Sequence, residues 1–272
     1  MSIPEHLEEK QVAENIRLHD RLAPRYDALH GEIFNDVEQA RLNAALKEAR
    51  DLLRTGTNPP HALDFGCGSG NLTRHLLGLG FEVTAADVSQ GFLDLVSNRY
   101  NSKRLRTLLM EGGRMCHLPD ESFDLVAAYS VLHHIPNYLQ ACRDLARVCR
   151  PGGLLMLDHE HTEKFWSGDP VYDEFRHRAL KFDWRKYLKP ENYLHRLVRV
   201  FNPRHSNEGD IHVWPDDHIE WHRIRETMDE LRFDVVVERE YLLNRKLYRP
   251  DVYRQYVGRC TDTKMMILRK RS

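Results

Sequence analysis

The residues whose types and spacing best suit ligand binding are two acids, Asp64 and Asp87, and three alternate glycines. Asp64 ends a short apolar run, and the glycines that follow it are Gly66, Gly68 and Gly70. Glycine adopts positive φ values and lets a ligand approach the main chain without meeting a Cβ. Asp87 ends the next apolar run, and its two carboxylate oxygens can accept both hydroxyls of a ribose. The spacing predicts a turn that binds a nucleotide, with one acid at an amino group and the other at a sugar.

The elements that must position this turn are a strand before it and a helix after it. Asn58-Pro59-Pro60 blocks a helix upstream, whereas residues 71–77 carry apolar side chains at helical spacing. The amides that open such a helix face a polar ligand. Asn71 stands where the dinucleotide fingerprint requires its third glycine, which argues against NAD or FAD.

Strands and helices alternate along most of the chain. A helix is predicted from Asp36, with that residue as its acidic N-cap, and Pro215-Asp216-Asp217 is predicted to cap another helix over 218–231. The alternation indicates a parallel sheet with helices on both faces and a ligand at the carboxyl ends of the strands. Beyond the first strand, further strands are predicted at 81–86, 105–110, 123–128, 154–158, 233–240 and 263–269.

Two pairs of histidines follow predicted strands at this edge of the sheet. His133 and His134 follow the fourth strand, and His159 and His161 follow the fifth. Each is a candidate general base because the pKa of imidazole suits proton transfer, although each can equally be a hydrogen-bonded structural histidine. His159 and His161 would share a face in an extended segment, but a third metal ligand at a clear spacing is missing. The interpretation is therefore a polar rim without a metal.

Four motifs in order resemble the class I S-adenosylmethionine-dependent methyltransferases. Residues 64–70 look like their first motif, Asp87 like their ribose-binding acid, residues 118–126 like the segment leading into their fourth strand, and residues 145–155 like their helix, Pro-Gly-Gly turn and fifth strand. Leu22-Ala23-Pro24-Arg25-Tyr26-Asp27 resembles the entry segment of the ubiquinone- and menaquinone-biosynthesis type. The resemblance covers about residues 20 to 158 well.

The resemblance implies an α/β fold, a seven-stranded doubly wound Rossmann-like sheet whose last strand is antiparallel beside the sixth. It also implies S-adenosyl-L-methionine as the cofactor, with S-adenosyl-L-homocysteine as the product. Many relatives have an acid where Arg114 stands, and an arginine cannot accept the hydrogen bond of the adenine amino group. Either Met115 and nearby backbone hold the adenine, or this loop has another register. The cofactor-binding residues implied are Tyr26, Asp64, Gly66, Cys67, Gly68, Asp87, Val88, Arg114, Met115 and Tyr129.

The chain is predicted to contain a core, an insertion and a segment that completes the core. The core spans 1–158 with N-terminal helices, the insertion 159–214 is a helical lid over the substrate, and 215–272 supplies the last helix and an antiparallel strand pair. The loop from Asn244 to Cys260 contains five basic residues and one acid. Such a loop is a solvated surface, unless it faces the pocket, where it would favour a carboxylate or phosphate on the substrate.

Composition limits the partners that are expected. The net charge is −1, so no global field attracts nucleic acid, and no stretch approaches the roughly 18 to 20 apolar residues of a membrane span. Five cysteines without a C-x-x-C pair suggest reduced thiols in a cytoplasm. The function predicted is methyl transfer by in-line displacement to an oxygen or nitrogen of a small, possibly anionic molecule. The alternatives are a cofactor-binding module without transfer and, ranked lower, an RNA methyltransferase.

Overall fold

The computed structural model describes residues 20, 26–53, 58–110, 115, 117–181 and 218–272. Its strands are β1 His61–Phe65, β2 Glu82–Asp87, β3 Leu105–Leu109, β4 Phe123–Tyr129, β5 Cys149–His161, β6 Phe233–Tyr241 and β7 Thr263–Lys270. Its helices are α1 Tyr26–Leu29, α2 Asp36–Leu52, α3 Asn71–Gly78, α4 Gln90–Arg99, α5 Tyr138–Val148, α6 Glu163–Ser167, α7 Pro170–Ala179, α8 Trp221–Glu230 and α9 Pro250–Tyr256, with a 3-10 turn at Leu132–His134.

The strands form one seven-stranded sheet in the order β3-β2-β1-β4-β5-β7-β6. β1 to β5 pair in parallel, and β7 is antiparallel to both β5 and β6. The α/β fold with an antiparallel last strand confirms the predicted class. Because the strand order reverses between β1 and β4, the carboxyl ends of these two strands border a crevice of the kind that binds ligands in doubly wound sheets.

Helices cover both faces of the sheet, which explains why its central strands are apolar throughout. Every residue of β4 is buried. On one face, α5 and α8 pack Leu145, Trp221 and Ile224 into the first core cluster. On the other face, α2 and α3 pack Leu42 and Leu76 into the second cluster. Strands buried on both sides lose the polar alternation of half-exposed strands and become continuous apolar runs.

Several predicted element boundaries differ from those in the structure. The N-cap of α2 is Asn35, whose side chain accepts a hydrogen bond from the Glu38 amide, so Asp36 is the first helical residue and the predicted N-cap is wrong. α8 begins at Trp221, three residues later than predicted, and the predicted cap 215–217 lies outside the described residues. The basic loop contains α9, which has Pro250 in its first turn.

A third apolar cluster joins α7 to the segment between β6 and β7. Phe175 of α7 packs against Tyr248 and Tyr256, with ring centroids 4.8 and 5.5 Å apart. Helices are therefore present in residues 163–179, inside the predicted insertion, whereas residues 182–214 lie outside the described part. β5 itself continues to His161, past the predicted boundary at residue 158.

Candidate active site

The glycine turn after β1 has the backbone that its sequence predicts. Gly66, Gly68 and Gly70 have φ values of 68°, 49° and 89°. A Cβ on Gly66 would lie 2.6 Å from the Val131 side chain, so this glycine lets the loops after β1 and β4 touch. A Cβ on Gly68 would meet no atom within 4 Å. Open space above a strained glycine fits a turn that a ligand approaches closely.

Asp64 faces the helix that follows the turn. Its carboxylate accepts a hydrogen bond from the Thr73 hydroxyl at 2.5 Å, and the side chain is only 1% exposed. Burial raises the pKa of Asp64 to about 7, although hydrogen bonds from Thr73 act in the opposite direction. The carboxylate therefore ties α3 to the end of β1.

Replacing Asp64 with asparagine is expected to change how stability depends on pH. An acid whose pKa is raised in the folded state contributes stability at low pH, and that stability is lost as pH rises from about 4 through about 7. Relative to Asp64→Asn, the wild type should lose up to about 1.4 kcal/mol per pH unit in that window. Urea unfolding from pH 4 to 8 measures the free energy of unfolding of both proteins. If this free energy depended on pH in the same way in both, the prediction would be wrong.

Asp87 lies at the end of β2, next to the glycine turn. One carboxylate oxygen accepts a hydrogen bond from the Gly68 amide and the other accepts one from the Ser89 amide, both at 2.9 Å. The side chain is 5% exposed. A carboxylate has about four lone-pair sites, so these two bonds orient Asp87 and leave acceptor capacity for hydroxyl groups.

The other residues predicted to hold the cofactor surround these two acids. Val88 and Met115 pack in the same apolar cluster, which suits a flat base. Cys67 is buried, and burial raises the pKa of its thiol well above the usual value, so it is a packing residue. Tyr26 packs edge-on against Phe92 of α4, with centroids 5.1 Å apart. Arg114 lies outside the described residues.

A cavity of about 440 Å³ opens at the carboxyl ends of β4 and β5, and none of the glycine-turn residues is part of its lining. Ser130 of its wall precedes Val131, whose side chain lies against Gly66 of the turn. Its volume is in the range of small-molecule sites. Polar side chains of its lining include His30, Glu32, His133, His159, Glu160, His161, Arg245 and Lys246.

The loop after β4 is held by a buried glutamate from β5. Glu160 is 2% exposed, and one of its oxygens accepts hydrogen bonds from the amides of Val131 and Leu132 at 2.9 and 2.8 Å. Its other oxygen lies 2.7 Å from Nδ1 of His133. A carboxylate accepts, so Nδ1 of His133 carries a proton and the imidazole is oriented in one tautomer. His134 is stacked at a tilt on His133, with centroids 4.0 Å apart.

His159 combines a strained backbone with an unpaired ring nitrogen. Its φ is 64°, and Ser130 on the neighbouring strand end has a φ of 58°; positive values cost energy in both residues. Nε2 of His159 is buried and has no hydrogen-bond partner in the described part of the chain, and the imidazole lines the cavity. Burial lowers the pKa of His159 well below its usual value, so the ring is neutral.

Tyr129 lies beneath His159 and not on the cavity wall. The two rings are stacked with centroids 4.6 Å apart, and the Tyr129 hydroxyl donates to Glu38 at 3.1 Å. Tyr129 is only 7% exposed. Tyr129 therefore supports the His159 ring, and its predicted contact with the cofactor stays a prediction.

His161 is a second neutral imidazole in the cavity. Its Nδ1 lies 3.0 Å from the Asp262 carbonyl, which can only accept, so Nδ1 carries the proton. The ring is parallel to that of Phe165 at 3.7 Å. Burial lowers the pKa of His161 to about 4, which makes it a weak base at neutral pH.

A buried polar network that sequence reasoning missed supports these strand ends. Arg41 of α2 donates to Glu38 and to Asp158, at 2.5 and 2.9 Å. Asp158 also accepts from the Tyr241 hydroxyl at 3.0 Å and from the His159 amide at 2.7 Å. The spacing of Glu38 and Arg41 on one helix face indicates a local ion pair. Their third partner, Asp158, lies over a hundred residues away in the sequence, so no local pattern predicts it.

Comparison with known proteins agrees with this geometry. Residues 63–157 match a family model described as a methyltransferase domain. The demethylmenaquinone methyltransferase of Lactobacillus johnsonii is 30% identical over 195 residues, which are 70% of this chain and 72% of that protein. The chain belongs to the class I S-adenosylmethionine-dependent methyltransferases. It is therefore an enzyme of that class, and S-adenosyl-L-methionine is the methyl donor that the family implies.

Solved structures with low sequence identity share the fold alone. The methyltransferase in complex with the Haloferax volcanii Trm112 methyltransferase activator is 13% identical, has a TM-score of 0.60, and aligns with 93% of this chain and 98% of its own. The [4+2]-cyclase SpnF is 15% identical, has a TM-score of 0.58, and aligns with 94% of each chain. One fold can thus accommodate chemistry other than methyl transfer.

The described residues contain neither a metal-binding cluster nor a membrane-spanning helix. No group of three or more histidine, cysteine or acidic side chains in that part of the chain is placed to hold a metal ion. None of the helices described there is long and apolar enough to cross a membrane.

Proposed function

We propose that this methyltransferase transfers the methyl group to an oxygen or nitrogen of a small molecule bound in the 440 Å³ cavity. The observation that carries the proposal is the position of the cavity, which opens at the carboxyl ends of β4 and β5, next to the loop whose Val131 side chain lies against Gly66. The cofactor supplies an electrophilic methyl group on a sulfonium. The chain's own residues then have to align the acceptor and exclude water.

The residues predicted to bind the cofactor have complementary roles in this proposal. Gly68 leaves space for the nucleoside, Asp87 accepts hydrogen bonds from its ribose, and Val88 and Met115 provide apolar contacts for its base. Asp64 holds the turn through Thr73. Tyr26 is positioned to cover the cofactor because its ring lies between Phe92 and His30.

His133 is the histidine best arranged to remove a proton from the acceptor. Glu160 fixes its Nδ1 proton and can stabilise the imidazolium that forms, which is the arrangement of a base oriented by a third group. His159 and His161 are neutral and serve as hydrogen-bonding groups for the acceptor. His134 packs on His133 and positions it.

The segment 159–214 is proposed to act as a lid on this cavity. The described part that supports this is α6, since Trp166 lines the cavity and Phe165 stacks on His161. The core 1–158 and the segment 215–272 would then hold the cofactor, while the lid closes over the acceptor.

Replacing Gly68 with alanine is expected to weaken cofactor binding, whereas its effect on stability should be no larger than that of a control variant. The added methyl group meets no protein atom but would occupy the space proposed for the nucleoside. Gly80→Ala is the matched control, because Gly80 also has a positive φ, 88°, and open space around its Cβ. Both variants should lose about 1 kcal/mol of stability through backbone strain. Only Gly68→Ala should bind S-adenosylhomocysteine at least about tenfold more weakly, a loss of roughly 1.4 kcal/mol by calorimetry; equal affinities would refute the placement.

The proposal as a whole is tested by identifying a methylated product. The enzyme is incubated with S-adenosylmethionine carrying a labelled methyl group and a fractionated metabolite extract, and the labelled product is identified by mass. Label in a small molecule supports the proposal. Cofactor binding without transfer would favour a binding module. Label in RNA would favour an RNA methyltransferase.

A further inference from the structure

Arg245 is a cation on the cavity wall. Among the described residues, its Nε is buried without a hydrogen-bond partner and no carboxylate lies within the 4 Å of an ion pair, although the charges of Asp262 and Glu32 act on it from farther away. The guanidinium lines the cavity with His159 and His161. A buried guanidinium is costly unless it is paired, so an unpaired one beside a ligand cavity indicates an anionic ligand.

The acids around the cavity differ from Arg245 because each is already engaged. Glu160 accepts two amide hydrogen bonds and pairs with His133. Glu32 lies 2.9 Å from Nδ1 of His30. Asp262 accepts from the Leu243 amide at 2.8 Å and from two hydroxyls. These acids already accept hydrogen bonds from the protein, whereas Nε of Arg245 has no hydrogen-bond partner among the described residues.

The histidines of the wall add hydrogen-bonding capacity without adding charge. Burial, and secondarily the charge of Arg245 among others, lowers the pKa of both His159 and His161. Nε2 of His159 is itself buried and unpaired. A guanidinium next to neutral imidazoles, with Lys246 also on the wall, suits a ligand that presents an anionic group to Arg245.

Apolar side chains complete the cavity and define the rest of the ligand. Ile33, Ile219 and Leu243 line it and are themselves at most 5% exposed, and Trp166 adds an aromatic face. The loop that carries Arg245 is fixed to the opposite wall, because the Asn35 side chain donates to the Asn244 carbonyl at 3.1 Å. The guanidinium is thus held next to an apolar compartment.

We propose that the methyl acceptor is an organic monocarboxylate with an apolar body, whose carboxylate binds Arg245. This inference rests on the proposed transfer to a small molecule in the cavity. The carboxylate serves as the anchor and not as the nucleophile, because a guanidinium that donates to both oxygens stabilises the anion and so lowers its nucleophilicity. The methyl group then goes to another oxygen or nitrogen of the same molecule.

The test compares a carboxylate probe with its neutral amide on three proteins. 2-Naphthoate and 2-naphthamide have nearly the same shape and differ by one charge. The wild type and Arg249→Met should bind the carboxylate more tightly than the amide, by roughly 10- to 100-fold in calorimetry, whereas Arg245→Met should lose this preference. Arg249 is the matched control because it lies on the same segment but pairs with Asp251 in solvent.

Affinity for S-adenosylhomocysteine on the same samples separates the possible failures. The wild type could prefer the carboxylate probe over the amide without binding the nucleoside. That result would refute the proposed function but would still support the anion site. Nucleoside binding without probe preference, or a preference retained in Arg245→Met, would overturn the inference. It is also overturned if Arg245→Met loses nucleoside affinity, because the arginine then serves the cofactor, or if inorganic phosphate binds better than the carboxylate.

Discussion

Replacing Arg41 with methionine is expected to lower the free energy of unfolding by about 3–5 kcal/mol. Arg41 is the only described cation that donates to Glu38 and Asp158, which are 2% and 0% exposed. Methionine keeps much of the side-chain volume but leaves two buried carboxyl groups beside each other. Burial already raises the pKa of both acids, and the loss of Arg41 removes the main opposing influence.

The loss in the free energy of unfolding caused by Arg41→Met should become smaller as pH falls, because protonated carboxyl groups carry no charge for the cation to stabilise. Urea unfolding at pH 5 and pH 8 measures this change. The matched control is Arg239→Met, which also frees a carboxylate of α2, because it removes the bidentate pair of Arg239 on β6 with Glu48 at the surface. It should cost at most about 1 kcal/mol. Equal losses in the two variants would show that the buried network does not stabilise the strand ends.

Replacing Asp87 with alanine is expected to weaken S-adenosylhomocysteine binding by roughly 10- to 100-fold, or about 1.5–3 kcal/mol. The variant removes the carboxylate oxygens proposed to accept the ribose hydroxyls. It also releases the Gly68 amide, which Asp87 holds at 2.9 Å, so the turn loses its orientation. Both effects act in the same direction on affinity.

Asp94→Ala provides the control for this measurement. Asp94 lies on α4, the helix that follows Asp87, and its carboxylate accepts a hydrogen bond from the Gln90 side chain at the surface. Calorimetric affinity of this variant should equal that of the wild type. Thermal unfolding of both variants shows whether a loss of affinity reflects a loss of fold. Unchanged affinity in a folded Asp87→Ala protein would contradict the ribose assignment.

The sheet and the glycine turn could be predicted because their signals are local. Gly66 and Gly68 take the positive φ values that only glycine adopts at low cost. Strands such as β4 are continuous apolar runs because helices cover both faces. The helix boundaries were less predictable. At the start of α2, the adjacent Asn35 and Asp36 both suit an N-cap, and the hydrogen bond from Asn35 to residue 244 favours Asn35. The Pro250 signal for α9 was present but overlooked among the charges of its segment.

The cavity could be predicted only in part, because its walls come from distant segments. Two of its groups, His133 and His159, follow strands that the sequence indicates. Their chemical states depend on Glu160 and on burial, which no spacing reveals. Arg245 was one basic residue among five in its segment. Only the fold shows that it faces the cavity, whereas Arg249 faces solvent.

The most direct test of the central claim is a crystal structure of the protein with S-adenosylhomocysteine bound. The account predicts that the nucleoside crosses the turn at Gly68, with its ribose hydroxyls hydrogen-bonded to Asp87 and its sulfur directed to the cavity that His133 and Arg245 line. A nucleoside bound at any other place, or a ribose that does not contact Asp87, would contradict it.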